Sequence, residues 1–438
     1  MISKLGITEL SKMQQDVLDN ASLDVDSLLL APTGTGKTLT YMLPLVKELL
    51  SKQTDGWPKA IVCLPSRELV IQAEETLRRM QTGLTSICLY GGRPAMEEHR
   101  RIKEIMPKVI FSTPGRLLDH IEKSNISVDG IDAFIVDEFD KCLEIGFEDE
   151  MRRIIEKLPH SACRWFLSAT LPDSVPELMR IGREKAKRKI YDYREELSSH
   201  EESVTTYLVK SPQKDKLETL ARLLSMIKGA QTIVFVRYRE SAERVGGYLK
   251  KLGFIAEIYH GGMDQKNRER SLYRYRSGGC NVLVSTDLAA RGLDIPETEA
   301  VINYHLPLDE VAFVHRTGRT GRWDRCGKSY IILSPEEAVP FYAENAQTVD
   351  IANVEIKQVI PRWITIYIGR GKKEKISKGD IVGFLCKKGG LKPAEIGRID
   401  VGDHYAYAAI ARDKAKSALS LISGEKIKGQ KTIFEEMK

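Results

Sequence analysis

Short apolar runs, each followed by an amphipathic stretch, recur along the chain as far as about residue 340. They predict strands at 27–31, 59–65, 85–90, 108–112, 132–137 and 164–168, and a second series at 204–209, 231–236, 254–259, 281–285, 299–304 and 328–333. Runs this short and apolar suit strands covered on both faces. The stretches between them, Thr38 to Ser51 and Glu68 to Met80 among them, repeat their apolar residues at helical spacing. Strand and helix alternating in this way predict a doubly wound parallel α/β sheet, built twice. Asp192 to Glu202 is polar and charged and divides the two series as a hinge linker.

Beyond a second expected linker at 346–360 the pattern changes. Trp363 to Gly369 alternates as a strand does, Lys378 to Leu385 follows it, and Lys392 to Ile396 reads as helical. Arg398 to Val401 and Tyr405 to Ile410 read as strands, Asp413 to Ser423 as a second helix and 431–434 as a last short strand. Four strands with two helices make an α+β layout of the RRM type. Its central run, Tyr405-Ala406-Tyr407-Ala408-Ala409-Ile410, departs from the basic and aromatic run of that fold.

Charge sharpens this division. Residues 361–438 hold 17 Lys and Arg against 9 Asp and Glu, a net +8, while residues 1–360 hold 50 against 52, a net −2. A phosphate-rich partner for the tail follows, because clustered cations gain from counterion release. At 438 residues the chain is long enough for about three domains. No apolar stretch approaches the roughly 18 residues that span a bilayer, and Met1-Ile2-Ser3-Lys4-Leu5 does not begin a secretory signal. The 7 cysteines lack CxxC spacing and mostly fall in apolar runs, as reduced core residues of a cytoplasmic protein do. The expectation is a soluble monomer with no membrane partner.

The candidate chemistry starts at Ala31-Pro32-Thr33-Gly34-Thr35-Gly36-Lys37-Thr38, between a predicted strand and a predicted helix. This is P-loop chemistry: the glycines let backbone N–H groups converge on phosphate oxygens, Lys37 reaches the terminal phosphates, and the Thr38 hydroxyl can bind Mg²⁺. Asp137-Glu138-Phe139-Asp140 ends another predicted strand, where carboxylates face a ligand crevice. There Asp137 can hold the Mg²⁺ shell and Glu138 can orient and deprotonate a water. Taken alone, those four residues read equally well as a solvated turn.

Further segments follow in order: Pro65-Ser66-Arg67-Glu68-Leu69, Gly91-Gly92, Thr113-Pro114-Gly115-Arg116 and Ser168-Ala169-Thr170. Then come Gln265-Lys266-Asn267-Arg268, Ser285 to Asp294, and His315-Arg316-Thr317-Gly318-Arg319-Thr320-Gly321-Arg322. Over roughly residues 5–340 this series resembles the DEAD-box RNA helicases, with Phe139 where the family name has alanine. The resemblance implies RecA-like domains at 1–192 and 204–345, joined by a linker at 193–203, and an RNA-stimulated ATPase that unwinds RNA locally.

It also implies residue roles. Gln14, Thr33, Gly34, Thr35, Gly36, Lys37 and Thr38 would bind ATP, with Asp294 on the ribose; Thr38 and Asp137 would bind Mg²⁺. Lys37, Asp137, Glu138, His315, Arg319 and Arg322 would be catalytic, the two arginines as fingers on the γ-phosphate. Set apart from the P-loop, Arg316, Arg319, Arg322 and Arg325 have a lesser reading as contacts to RNA phosphate alone. Pro65, Arg67, Gly92, Thr113, Arg116, Gln265, Arg268 and Thr286 would bind the RNA backbone, and Ser168 and Thr170 would couple the two sites. The family's aromatic about 17 residues ahead of the adenine-reading glutamine has no counterpart, since the chain begins too late to carry it. An ATP-gated RNA clamp would share every motif, and a DNA helicase is disfavoured by the 2′-hydroxyl contacts expected of the series.

The tail has its own resemblance. Gly369-Arg370-Gly371-Lys372-Lys373, Lys378 to Gly383, Ile396 to Asp400 and Lys426-Ile427-Lys428-Gly429 look like the RNA-binding domain of bacterial DbpA-type DEAD-box proteins. It implies that residues 361–438 grip a hairpin of 23S-type large-subunit ribosomal RNA within a pre-ribosomal particle. Arg370, Lys372, Lys373 and Arg398 are the expected contacts, with Lys387 and Lys388 beside them. Tyr367, Tyr405 and Tyr407 are open between stacking on RNA and packing in the sheet.

Overall fold

The structure is a computed structural model that describes every residue except 1, 23, 33, 53–55, 93–94, 145, 172–174, 182–186, 199–203, 288–297, 322–326 and 438. The described residues form two compact units, one ahead of residue 200 and one after it.

The first unit carries seven strands: β1 (Asp26–Leu30), β2 (Ala60–Cys63), β3 (Ser86–Leu89), β4 (Val109–Ser112), β5 (Ala133–Val136), β6 (Cys163–Ser168) and β7 (Arg188–Asp192). Their order is β3-β4-β2-β5-β6-β1-β7, and every pairing is parallel. Why the runs are mostly apolar is visible in the packing. Leu29, Val62 and Ile135 enter a core on one face, while Leu28, Leu30, Ile61, Phe134 and Val136 enter another on the opposite face. Each such buried side chain contributes about 1.5–3 kcal/mol.

The second unit repeats the plan with β8 (Val204–Lys210), β9 (Thr232–Phe235), β10 (Ala256–Tyr259), β11 (Val282–Ser285), β12 (Ala300–Asn303), β13 (Gly327–Leu333) and β14 (Gln347–Thr348). The order β10-β11-β9-β12-β13-β8-β14 is the same, again all parallel. The pattern of apolar runs predicted six strands per sheet, and β7 and β14 are additions. Both lie at a sheet edge: β7 keeps Lys189, Ile190 and Asp192 exposed, and β14 has only two residues. Neither presents an apolar run.

Two predicted linkers carry structure. Asp192 ends β7, Tyr193 is buried, Arg194–Ser198 is a short helix, and residues 199–203 of that linker lie outside the described residues. The stretch 346–360 is laid along the second unit. Ile351 enters its core, Arg222 donates to the carbonyls of Ala352 and Val354, and Lys357 N–H donates to Ser225.

The same unit ends in β15 (Trp363–Ile368), β16 (Ile396–Val401), β17 (Ala406–Ala411), a hairpin of β18 (Lys426–Ile427) and β19 (Gln430–Lys431), and β20 (Phe434–Glu436). The antiparallel sheet β16-β17-β15-β20 with helices Lys378–Lys387 and Arg412–Ile422 is the RRM-like arrangement. Here one open segment gains an assignment and two expectations change. Lys378 to Leu385 is helical, because Ser377 and Asp380 form a capping box and Ile381, Phe384 and Leu385 share one buried face. The predicted helix at Lys392 to Ile396 shrinks to a single 3₁₀ turn, Pro393–Glu395. The last strand begins at Phe434, after the hairpin. No helix among the described residues is long and apolar enough to cross a membrane.

Candidate functional site

The carboxyl ends of the first unit's strands carry its candidate residues, as open parallel sheets place their ligand sites. β1 runs into the glycine-rich loop, where Gly34 and Gly36 have φ of 83° and 87°. Gly36 opens helix Lys37–Ser51, and a Cβ there would sit 2.5 Å from Gln14 Nε2. Gln14 is therefore at the loop. Its carbonyl oxygen is engaged in a capping box with Ser11 N–H, leaving the amide nitrogen turned toward Gly36. Lys37 is 6% exposed and donates to the carbonyls of Ala31 at 2.6 Å and Pro32 at 3.1 Å. Burial lowers its pKa, with Asp137, Glu138 and Asp140 pulling the other way.

β5 ends at Asp137, whose Oδ2 accepts from Thr38 Oγ1 at 3.2 Å and whose Oδ1 accepts from Glu138 N–H at 2.9 Å. Burial raises the pKa of this carboxyl, and Lys37 opposes the shift. Glu138 itself has φ 51°, a strained value for a side-chain-bearing residue. Phe139 is buried edge-on to Phe166, with ring centroids 5.0 Å apart, so it fills the core behind the site. Asp140 accepts from Thr170 Oγ1 at 3.1 Å, and Thr170 N–H donates to Ser168 Oγ at 3.3 Å. A hydrogen-bonded line of side chains thus connects the ends of β5 and β6.

Beside this cluster lie Pro65 and Arg67 after β2, Gly92 after β3, and Thr113 and Arg116 after β4. Arg67 spans Gly92, where a Cβ would stand 2.7 Å from Arg67 Nη1. Thr113 N–H donates to Leu89 O, and Arg116 Nε donates to the buried Glu98 at 2.6 Å. Glu98 belongs to no motif. Its one sequence signal is a carboxylate in line with Ile102 on the inner face of helix Ala95–Ile105.

The second unit has corresponding positions. Arg268 donates to Gln265 at the start of helix Gln265–Arg276, and Thr286 follows β11. His315 and Arg319 are buried at the end of helix Glu310–Thr317 and just beyond it. Arg316 is engaged within the unit. It is 1% exposed, donates to both carboxylate oxygens of Asp287 at 2.6 and 3.1 Å, and also donates to Asn303 Oδ1 and His305 O. Thr33, Asp294, Arg322 and Arg325 lie outside the described residues.

In the C-terminal sheet the three tyrosines pack. Tyr273, from helix Gln265–Arg276, donates from its hydroxyl to Tyr407 O at 3.0 Å and Arg398 O at 3.1 Å, and its ring lies 4.6 Å from that of Tyr407. Tyr405 donates to Glu269 at 3.0 Å, Tyr367 and Met437 complete the cluster, and Ser277 and Thr365 share a hydrogen bond of 2.9 Å. Burial pushes the Tyr407 hydroxyl up to about 12. The sheet face opposite the two helices is therefore spent on this contact. The basic loop residues Arg370, Lys372 and Lys373 stand apart from it: Lys372 and Lys373 N–H donate to the carbonyls of Gly402 and Asp403, Lys373 Nζ lies 3.2 Å from His404, and Arg398 pairs with Asp400.

Comparison with known proteins gives the same assignment along the whole chain. Residues 11–178 match the DEAD/DEAH box helicase family, 215–324 the helicase conserved C-terminal domain and 365–436 the DbpA RNA binding domain. ATP-dependent RNA helicase DbpA of Escherichia coli is 32% identical over 98% of this chain and 94% of its own, and its Bacillus subtilis namesake 28% identical over 97% and 94%. Among solved structures, Saccharomyces cerevisiae Dbp5 bound to RNA and ADP BeF3 aligns at a TM-score of 0.69 and 26% identity, over 80% of this chain and 93% of that one. The chain belongs to the DEAD-box ATP-dependent RNA helicases, with two RecA-like domains and a C-terminal RNA-binding domain of the DbpA type.

Proposed function

We propose that this helicase, a cytoplasmic monomer, separates short RNA pairings within assembling large ribosomal subunits, and that residues 361–438 bring it there by gripping a ribosomal RNA hairpin of the 23S type. The observation that carries the ATPase half is the hydrogen-bonded cluster Thr38–Asp137 with Asp140–Thr170–Ser168. Lys37 and the N–H groups of Gly34, Thr35 and Gly36 take the phosphates, and Gln14 takes the adenine through its amide nitrogen and the second lone pair of its oxygen. A hydroxyl and a buried carboxylate 3.2 Å apart form the hard-oxygen pair that Mg²⁺ takes from protein, phosphates and water supplying the rest. Held by Thr38 and Asp137, Mg²⁺ would offset phosphate charge. Glu138 orients the attacking water and accepts its proton, while Arg319 and Arg322 offset charge on the γ-phosphate, an effect of about 10³–10⁵ in rate. Asp294 holds the ribose and His315 ties the second domain to the water.

RNA is read through its backbone by Pro65, Arg67, Gly92, Thr113, Arg116, Gln265, Arg268 and Thr286, so the core is indifferent to sequence. Asp140, bonded to Thr170, passes the state of the nucleotide toward that strip. Targeting falls to the tail. With the tyrosine face closed, the net +8 of residues 361–438 points to Arg370, Lys372 and Lys373 as hairpin contacts.

Glu138→Gln should lower RNA-stimulated turnover by at least about 10² while leaving ATP affinity nearly intact; wild-type turnover would defeat the assignment. Replacing Arg370, Lys372 and Lys373 together by alanine in the full chain should raise the half-stimulating concentration of intact ribosomal RNA by about tenfold and leave that of random RNA within about twofold. An equal response to both RNAs would sink the targeting role.

A further inference from the structure

Glu98 is 2% exposed, yet it is a carboxylate. Its Oε2 accepts from Arg116 Nε at 2.6 Å and faces His120 Nε2 at 3.0 Å, and its Oε1 accepts from Tyr90 N–H at 3.5 Å. His120 is fully buried, and its Nδ1 lies 3.2 Å from the side-chain nitrogen of Asn125, so the imidazole serves as a hydrogen-bonded spacer. Burial alone would raise the pKa of Glu98; bonds from His120 and Arg116 outweigh it, and the pKa is lowered. A buried, ionised carboxylate is costly to keep unless it has work that a leucine could not do.

The work is geometric. A guanidinium is a rigid fork, so holding Nε fixes the direction of both terminal nitrogens. Arg116 keeps 14% of its side chain exposed, with Nη1 3.8 Å from Asp119. At its other oxygen Glu98 holds Tyr90, which leads directly into Gly91-Gly92, the turn spanned by Arg67. One carboxylate therefore ties the segment after β3 to the segment after β4.

We propose that Glu98 is a positioning residue for RNA: it aims Arg116. This rests on the reading of Arg116 as an RNA contact, and the test separates the two. In the full-length enzyme, Glu98→Ala should raise the half-stimulating RNA concentration about tenfold, leaving turnover at saturating RNA and the KM for ATP within about twofold. Glu98→Gln, whose carbonyl can still accept from Arg116 and His120, should stay within about threefold of wild type. Combined with Arg116→Ala, Glu98→Ala should add nothing.

If Arg116→Ala leaves RNA stimulation unchanged, the RNA reading of Arg116 fails and Glu98 falls with it. If Arg116→Ala weakens RNA stimulation while Glu98→Ala does not, or if Glu98→Ala weakens it further in the Arg116→Ala background, the positioning role alone is overturned. Should Glu98→Ala not fold, Glu98→Asp decides: it keeps the charge but withdraws the carboxylate by one methylene, and a wild-type response to RNA would end the proposal.

Discussion

The two seven-stranded sheets share one strand order, yet the lysine that opens the first helix after the corresponding strand keeps different company in each. In the first, Lys37 leans on two neutral carbonyls, behind a loop whose Gly34 and Gly36 take positive φ. In the second, Lys216 donates to Ile332 O at 2.9 Å and to Glu337 at 2.8 Å, behind the glycine-free loop Ser211-Pro212-Gln213-Lys214-Asp215. Burial lowers the pKa of both lysines. Burial also works against ionising Glu337, but bonds from Lys216 and Ser334 outweigh it, and its pKa is lowered. A lysine with a dedicated carboxylate is a strut; one resting on carbonyls can leave them for a phosphate.

The sharpest way to break this comparison is to remove each lysine in turn. Lys37→Ala should cut RNA-stimulated ATPase by at least about 10², with the fold intact by circular dichroism. Lys216→Ala should leave turnover within about threefold and lower stability by about 1–2 kcal/mol, because Glu337 keeps enough solvent contact to soften the loss of its partner. Comparable losses of turnover would mean that the second lysine also serves the nucleotide.

What the sheets share is on the other side of the ledger. Ser112, ending β4, donates to Leu89 O at 3.0 Å and Thr113 O at 3.1 Å; Ser285, ending β11, donates to Tyr259 O and Thr286 O, both at 2.8 Å. The same hydroxyl in the same place pins the turn that carries Thr113 in one sheet and Thr286 in the other. The duplicated feature thus falls on the side proposed for RNA, whereas, of the two sheets, the first alone carries the glycine-rich loop. Ser112→Ala and Ser285→Ala should each raise the half-stimulating RNA concentration about two- to fivefold, the worth of a buried hydrogen bond, without moving the KM for ATP. A response to only one of them would show that the halves do not share the RNA load.

Legibility in the sequence followed how far apart the cooperating residues lie. The P-loop and Asp137-Glu138-Phe139-Asp140 were readable because their chemistry is contiguous, and the central strands because both of their faces are buried. Helix Lys378–Lys387 was hidden by Gly379 and Gly383, which weaken the helical signal that Ser377 and Asp380 restore by capping. Glu98 was silent because its partners lie 18 and 22 residues on, and the tyrosine contact because Tyr273 and Tyr407 are 134 residues apart. No periodicity within a short window reports such pairs.

The smallest expected effect tests whether the first sheet sacrifices stability for its chemistry. The folded-state pKa of Asp137 is raised by burial, so the native protein binds this proton more tightly than the unfolded chain does. Its contribution to stability falls as pH rises through the window between the unfolded value, about 3.9, and the folded one, and the penalty is complete above it. Asp137→Asn removes the charge and should stabilise the protein near pH 7.5 by about 1 kcal/mol, roughly 2–4 °C in Tm, while abolishing turnover. The gain should shrink as pH falls through the folded value and vanish only below about 3.9, where both states hold the proton. Lys37 partly offsets the penalty, so the gain from Asp137→Asn should be larger in a Lys37→Ala background. A gain independent of both pH and Lys37 would trace the effect to packing, and the contrast between the two sheets would then rest on the lysines alone.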